Sequence, residues 1–507
     1  MKAGGREWVG LGVLALPTLL VTMDLSVLFL AVPKLARDLH PSSSELLWIT
    51  DVYGLMIAAS LITMGTIGDR IGRRRLLLIG GGIFALASLL AAFSTSPGML
   101  IGARGLLGVA GATLAPSALA LIRNMFDDPD QRQLAIAIWI SCFAAGAAIG
   151  PLLGGALLQH FGWGSVFLVN VPVMALLLAG GPSLLPESRD PNPGTIDLRS
   201  VVISFASLLA IVYGATRMAE HGAGPAAVGL VITGALIGAA FVRHQQRLDY
   251  PLVDVRLFRL PYFSAAFAAM FVSVFVIAGT DLFIAQYIQL VHGVSPFITG
   301  LWLLPGIIGL IVGSMVAPVV ARALRPGVVI AGGLVIATVG AIVLGELSDT
   351  SSLAVLVAGT ILLGLGIGPI GALGTDILVG AAPPARAGAA SAVSETATEL
   401  GGALGIALLG SLGTAVYRST LSGKLPAAVS PSTAAVSKST LGGAVDAATH
   451  LHPHLGAALS HAARIAFTHG FVVVAAAAAG ITATMATIAA VTLRNVQPGP
   501  LGEAGES

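Results

Sequence analysis

Stretches of about twenty apolar residues recur along this chain from one end to the other, each broken by a short cluster of Pro, Gly, Ser or charge. A run of that length matches the hydrocarbon core of a bilayer when wound as a helix, because only a helix or a closed barrel satisfies its own backbone there. The runs fall at about 8–32, 45–67, 76–95, 98–122, 134–158, 163–185, 198–217, 225–243, 262–290, 297–321, 327–346, 353–378, 387–417 and 468–493. The expectation is an all-α polytopic membrane protein with fourteen transmembrane helices. With 56% hydrophobic and only 10% charged residues, a water-soluble domain is excluded.

The charges that remain give an orientation. With the N-terminus inside, eighteen of the 26 Lys and Arg fall on the cytoplasmic side and seven outside, the last being the intramembrane Arg104. Both termini are therefore expected in the cytoplasm, in the cytoplasmic membrane. The first apolar run carries Asp24 and lacks a clear small-residue cleavage site, so it reads as a permanent span rather than a signal peptide. A net charge of +2 offers nothing to nucleic acid. The single cysteine, Cys142, has no thiol to pair with, and no G-x-x-x-x-G-K-[ST] string suggests ATP. No cofactor and no metal site is expected, and an uphill step would draw on an ion gradient or a partner subunit. The histidines His450, His452, His454 and His461 read as solvated loop residues.

Two segments interrupt the short-loop pattern. Residues 186–200 form a polar, Pro-rich linker, and residues 418–467 form a long outer segment rich in Ser, Ala and His, partly of helical spacing. The organisation expected is a six-helix half over 1–190, two inserted helices over 191–250, and a second six-helix half over 251–507 that includes the outer loop 418–467.

Several motifs carry more information than composition. After the second run comes Gly65-Thr66-Ile67-Gly68-Asp69-Arg70-Ile71-Gly72-Arg73-Arg74-Arg75; the corresponding stretch of the second half keeps Arg322 and Arg325 but has Ala317 where the acid would fall. The fourth run holds Arg104 with no charge near it in its own helix, so it requires a partner or water inside the bundle. The fifth reads Gly146-Ala147-Ala148-Ile149-Gly150-Pro151-Leu152-Leu153-Gly154-Gly155, where small residues permit close helix approach and Pro151 introduces a kink. The first contains Met23-Asp24-Leu25-Ser26-Val27-Leu28-Phe29 and the second Trp48-Ile49-Thr50-Asp51-Val52-Tyr53. Acids in apolar surroundings are Asp24, Asp51, Asp281, Glu395 and Glu399; the last two are four apart, on one helix face, where two carboxylates repel. A carboxyl that accepts either a proton or an organic cation is what exchange of the two requires. A capping or interfacial role stays open for Asp51 and Asp281. Trp48, Tyr53, Trp139, Phe283, Tyr287 and Trp302 either face a cation through their rings or anchor at the membrane interface.

Together these strings resemble those of the major facilitator superfamily, and the first two runs resemble its fourteen-span drug:proton antiporters, in the branch exporting quaternary ammonium compounds. The resemblance covers essentially the whole chain. It implies two six-helix halves plus two inserted helices. It also implies a gating role for Asp69, Arg70, Arg73, Gly146, Gly150, Pro151, Gly154 and Gly155, and proton or cation coupling by Asp24, Asp51, Arg104, Asp281, Glu395 and Glu399. Tyr53, Trp139, Phe283 and Tyr287 would line the substrate cavity. Phe29 stands where the family commonly has Asn, and Leu107 where its fourth-span motif usually has Gln. The implied activity is antiport of lipophilic, mostly cationic compounds against protons by a monomer embedded in the bilayer. Export of one specific metabolite is the alternative, and an embedded enzyme is disfavoured because no nucleophile and base stand together.

Overall fold

The computed structural model describes residues 3–189, 197–221, 224–248, 255–380 and 387–494, and among them every regular element is a helix. The first stretch holds α1 (Gly5–Leu39), α2 (Ser43–Ile71), α3 (Arg73–Ala92), α4 (Pro97–Gly111), α5 (Leu114–Met125), α6 (Pro129–His160), α7 (Ser165–Leu168) and α8 (Asn170–Leu184). Next come α9 (Leu198–His221) and α10 (Pro225–Gln245). The remainder is α11 (Pro261–Gln286), running on into a π-helical turn over Tyr287–Val291, then α12 (Pro296–Ala323), α13 (Pro326–Gly345), α14 (Leu353–Gly380), α15 (Ala387–Lys424), α16 (Pro431–Ser439), α17 (Leu441–Thr449) and α18 (Pro453–Thr492).

Helix starts follow local chemistry. Ser42 caps α2 and forms a capping box with Glu45, and Ser96 caps α4 ahead of Pro97. Pro opens α10, α11, α13, α16 and α18, where its missing N–H costs nothing. Gly72, at φ 107°, turns the chain between α2 and α3 in a conformation that L side chains rarely adopt.

Among the described residues, twelve helical segments are long and apolar enough to cross a membrane, against the fourteen read from the sequence. The helices at the two remaining places, α6 and α9, are 32 and 24 residues long. Two runs read as single helices are divided. The fourth breaks at Ala112 and Thr113, where the Thr113 hydroxyl donates to the Ala110 carbonyl and the side chain fills the space beside Gly80 of α3. The sixth breaks at Val169. The segment 418–467 is mostly helix: the end of α15, the short α16 and α17, and the start of α18, which begins fifteen residues before the expected 468.

The chain forms two compact units, Met1–Ala206 with Gly293–Leu301, and Ser207–His292 with Trp302–Ser507. The dividing point lies inside α9, and the beginning of α12 groups with the first unit. In the first unit α1 packs on α6, α2 on α4, and α3 on α4 and α8. In the second, α11 packs on α15, α13 on α14 and α18, and α15 on α18. Glycines set the close approaches, as expected where no hydrophobic drive separates helix from lipid. Gly333 and Gly340 of α13 meet the backbone of α14 at Gly366 and Gly359, and Gly234 of α10 meets the Ser207 carbonyl of α9.

Candidate functional site

A cation at the centre of a bundle must be enclosed by acceptors, and Arg104 is. It is 0% exposed on α4, among Leu100, Ala103 and Leu107. Its Nη1 donates to Oδ2 of Asp24 on α1 at 2.6 Å, with both side chains buried. Its Nε donates to the Ile49 carbonyl at 3.0 Å and its Nη2 to the Thr50 carbonyl at 3.5 Å, both on α2. Thr50 turns its own hydroxyl back to the Leu46 and Leu47 carbonyls. The guanidinium carbon lies 4.8 Å from the Tyr53 ring centre and 6.0 Å from that of Phe167. Gly108 permits this approach, since a Cβ there would stand 2.4 Å from the Tyr53 carbonyl oxygen.

Two more groups complete the cluster. Asn170, the first residue of α8 after the break at Val169, donates its amide to Oδ1 of Asp24 at 3.4 Å and to the Ser88 hydroxyl of α3 at 3.2 Å. Its own Oδ1 is buried with no hydrogen-bond partner among the described residues. Asp51 follows the Thr50 carbonyl that Arg104 touches; it is 2% exposed, and neither carboxyl oxygen has a hydrogen-bond partner among the described residues. One guanidinium thus serves two buried acids, one bonded to it directly and one not. Such an arrangement accommodates a single extra proton or cation, because leaving both acids charged against one Arg leaves a net negative charge in a dry interior. Trp139 of α6 donates to the Thr18 hydroxyl of α1 at 2.8 Å.

The sequence singles out Asp24, Asp51 and Arg104 for coupling and Tyr53 for the cavity, and the fold brings these residues together. The sequence does not single out Asn170 or Ser88. The one signal for Asn170 was a lone amide inside an otherwise apolar run.

The glycine string of α6 packs on α1. Cβ atoms at Gly146, Gly150 and Gly154 would lie 2.4 Å from the Leu19 carbonyl, 2.1 Å from Ser26 Oγ and 2.6 Å from Val27. Gly155 faces the backbone of Phe297 at the start of α12, and a Cβ on Gly300 would approach the Pro151 carbonyl to 2.4 Å. The helix runs unbroken through Pro151.

At the other motif, the turn between α2 and α3 docks on the segment after α8. The Arg73 N–H donates to the Ser188 carbonyl at 2.8 Å, and the Arg74 N–H to the Glu187 carboxylate at 3.1 Å. The Arg74 guanidinium lies 3.5 Å from Glu187 and reaches the Pro182 and Leu185 carbonyls. A Cβ on Gly72 would meet the same carboxylate at 2.5 Å. In the sequence Glu187 stands out only as part of the polar linker. Arg70 lies in the last turn of α2 and Arg73 begins α3, while the Asp69 side chain lies outside the described residues.

In the second unit, Asp281 sits partly buried on α11 and Glu399 partly buried on α15; the Glu395 side chain lies outside the described residues. Phe283 and Tyr287 are packed among aromatics of α18. Phe283 is 5.5 Å from Phe467 and 5.9 Å from Phe471, and Tyr287 donates its hydroxyl to the Ser348 carbonyl at 2.5 Å. Beside it, His292 presents its ring edge to Tyr287 at 5.0 Å; partial burial and Arg464 hold the imidazole below its usual range.

The profile of the Major Facilitator Superfamily matches residues 14–406. The chain is 45% identical to the multidrug efflux pump LfrA of Mycolicibacterium smegmatis, over 96% of this chain and 97% of that one. It is 35% identical to the methyl viologen resistance protein SmvA of Salmonella typhimurium, covering 91% and 93%. Among solved structures, a bacterial homolog of the human lysosomal transporter Spinster superposes with a TM-score of 0.66 at 18% identity, covering 96% of this chain and 98% of that one. That likeness concerns the fold.

Proposed function

The chain belongs to the major facilitator superfamily, and on that premise we propose that it is a proton-coupled antiporter exporting lipophilic, mostly cationic drugs across the cytoplasmic membrane. It is a multi-pass membrane transporter, not an enzyme. In the reading offered here α6 and α9 complete fourteen spans, and both termini lie in the cytoplasm, in keeping with the distribution of Lys and Arg. The names of the two relatives support drugs as cargo, and methyl viologen resistance in one of them supports organic cations.

The observation that carries the reading is the pair of acids around one guanidinium, Asp24 bonded to Arg104 and Asp51 buried beside it with no bonded donor among the described residues. In the proposed cycle Asp51 holds the exchangeable proton while Asp24 stays paired. An arriving organic cation supplies the missing positive charge, so the proton leaves; the return of a proton from outside expels the cation. Protons are the coupling ion and no other cofactor takes part. Asp281, Glu395 and Glu399 add negative charge in the second unit for substrates of different shape. Asp69, Arg70 and Arg73, with the α6 glycine seam, govern alternation between the two faces.

The test is dye efflux in everted membrane vesicles with and without a proton gradient. Ethidium accumulation that collapses with the gradient is expected. Accumulation indifferent to the gradient in the same vesicles would overturn the coupling.

A further inference from the structure

The outer surface of the first unit carries a groove of about 580 Å3 that the transport reading does not use. One wall is α1 from Val9 to Leu19, the other α8 from Leu176 to Leu184, and Cys142 of α6 lies on its lining. No lining residue is charged, and Val9 and Leu176 are 57% and 58% exposed. Its volume falls in the range of roughly 300–1,000 Å3 typical of small-molecule sites. Its length is more telling: ten residues of helix rise about 15 Å, half of a hydrocarbon core of about 30 Å. The groove therefore spans one leaflet.

Charge marks one end of the groove. Arg6 stands one turn before Val9 and donates to the carbonyl of Ser183, next to Leu184; its other nitrogens have no partner among the described residues. Arg74 reaches the Pro182 and Leu185 carbonyls at the same end, but Glu187 engages it. The one nearby acid on α1, Glu7, accepts from the Gly4 N–H. An exposed guanidinium at headgroup level above a leaflet-long apolar slot fits an anionic phospholipid and repels a lipophilic cation. We propose that this groove binds one inner-leaflet anionic phospholipid, an acyl chain lying between α1 and α8 and its phosphate on Arg6.

Full-length protein stripped of lipid in detergent is titrated with phosphatidylglycerol or with phosphatidylcholine of the same chains, and bound lipid is counted by native mass spectrometry. A guanidinium near anionic headgroups corresponds to about a fivefold preference for phosphatidylglycerol, which Arg6→Gln should abolish. Filling the slot should weaken retention of both lipids by about tenfold or more. Two variants do so from opposite walls: Gly12→Leu, where a Cβ meets nothing within 4 Å, and Ala179→Phe on α8, so a folding defect in one leaves the other to decide. Cys142, the one thiol of the chain, is an independent reporter: phosphatidylglycerol should slow its alkylation by N-ethylmaleimide, and less so in Arg6→Gln. Equal retention by wild type and both filled variants would overturn the proposal, as would protection of Cys142 by ethidium but not by phosphatidylglycerol. None of these readouts depends on transport.

Discussion

Arg104 holds three hydrogen-bond partners and faces two rings at once, so its ion pair with Asp24 cannot be altered at one end without leaving a charge stranded. Removing one member of a buried ion pair typically costs about 3–5 kcal/mol, while replacing both with apolar groups is often neutral. Asp24→Asn and Arg104→Met are each expected to lower the melting temperature in detergent and to abolish dye efflux. The double variant Asp24→Leu, Arg104→Met should recover melting but not efflux. Asn170→Ala removes the neutral amide's bonds to Asp24 and Ser88 but leaves the ion pair intact; a hydrogen bond to a charged group is worth about 1.5–3 kcal/mol, and the variant should destabilise less than Asp24→Asn. A titrating group outside the spans gives a pH test. His292 is held below its ordinary 6.5, so the fold favours its neutral form; that stability is present above pH 6.5 and is lost as pH falls through the lowered value. Melting temperature should therefore drop more steeply below pH 6.5 in wild type than in His292→Gln. Asp24 and Arg104 were each legible as sequence, because a charge in an apolar run requires a partner. Which partner was not, since the two are 80 residues apart and only the packing of α1 against its neighbours joins them. Asn170 left almost no trace because an amide barely disturbs the apolar pattern.

For whole helices the deciding contacts are backbone against backbone. The spacing of Gly146, Gly150 and Gly154 announced a close-packing face on α6; that α1 fills it, and that Gly155 meets the start of α12 instead, depends on geometry no local pattern encodes. The obstacles along this seam differ in kind. At Gly150 an added methyl meets the Ser26 hydroxyl at 2.1 Å, a side chain that substitution can remove; at Gly146 it meets the Leu19 carbonyl, which no substitution removes. Gly150→Ala should lower stability by about 1–3 kcal/mol and be largely rescued by Ser26→Gly. Gly146→Ala should resist rescue by any change at Leu19. Melting of the four variants in detergent checks both statements. The breaks at Thr113 and Val169 were invisible in hydropathy, because a discontinuity in a helix does not interrupt its apolar composition.

At the scale of the molecule, the arginine count that orients the chain makes a prediction of its own. A fluorescent protein fused after Ser507 should fluoresce, because it folds in the cytoplasm, and alkaline phosphatase inserted after Ala427 should be active, because that turn lies outside. The reverse pattern would invert the topology without touching the fold. α18 continues for 40 residues, about 60 Å and twice what the hydrocarbon layer needs, with α17 packed along it and α16 on α17. A rod of that length carries its first turns well clear of the lipid. On the proposed topology, an antibody fragment raised against Pro431–Thr449 would find a helical epitope on living cells without having to enter them, a grip for imaging or blocking an otherwise submerged protein.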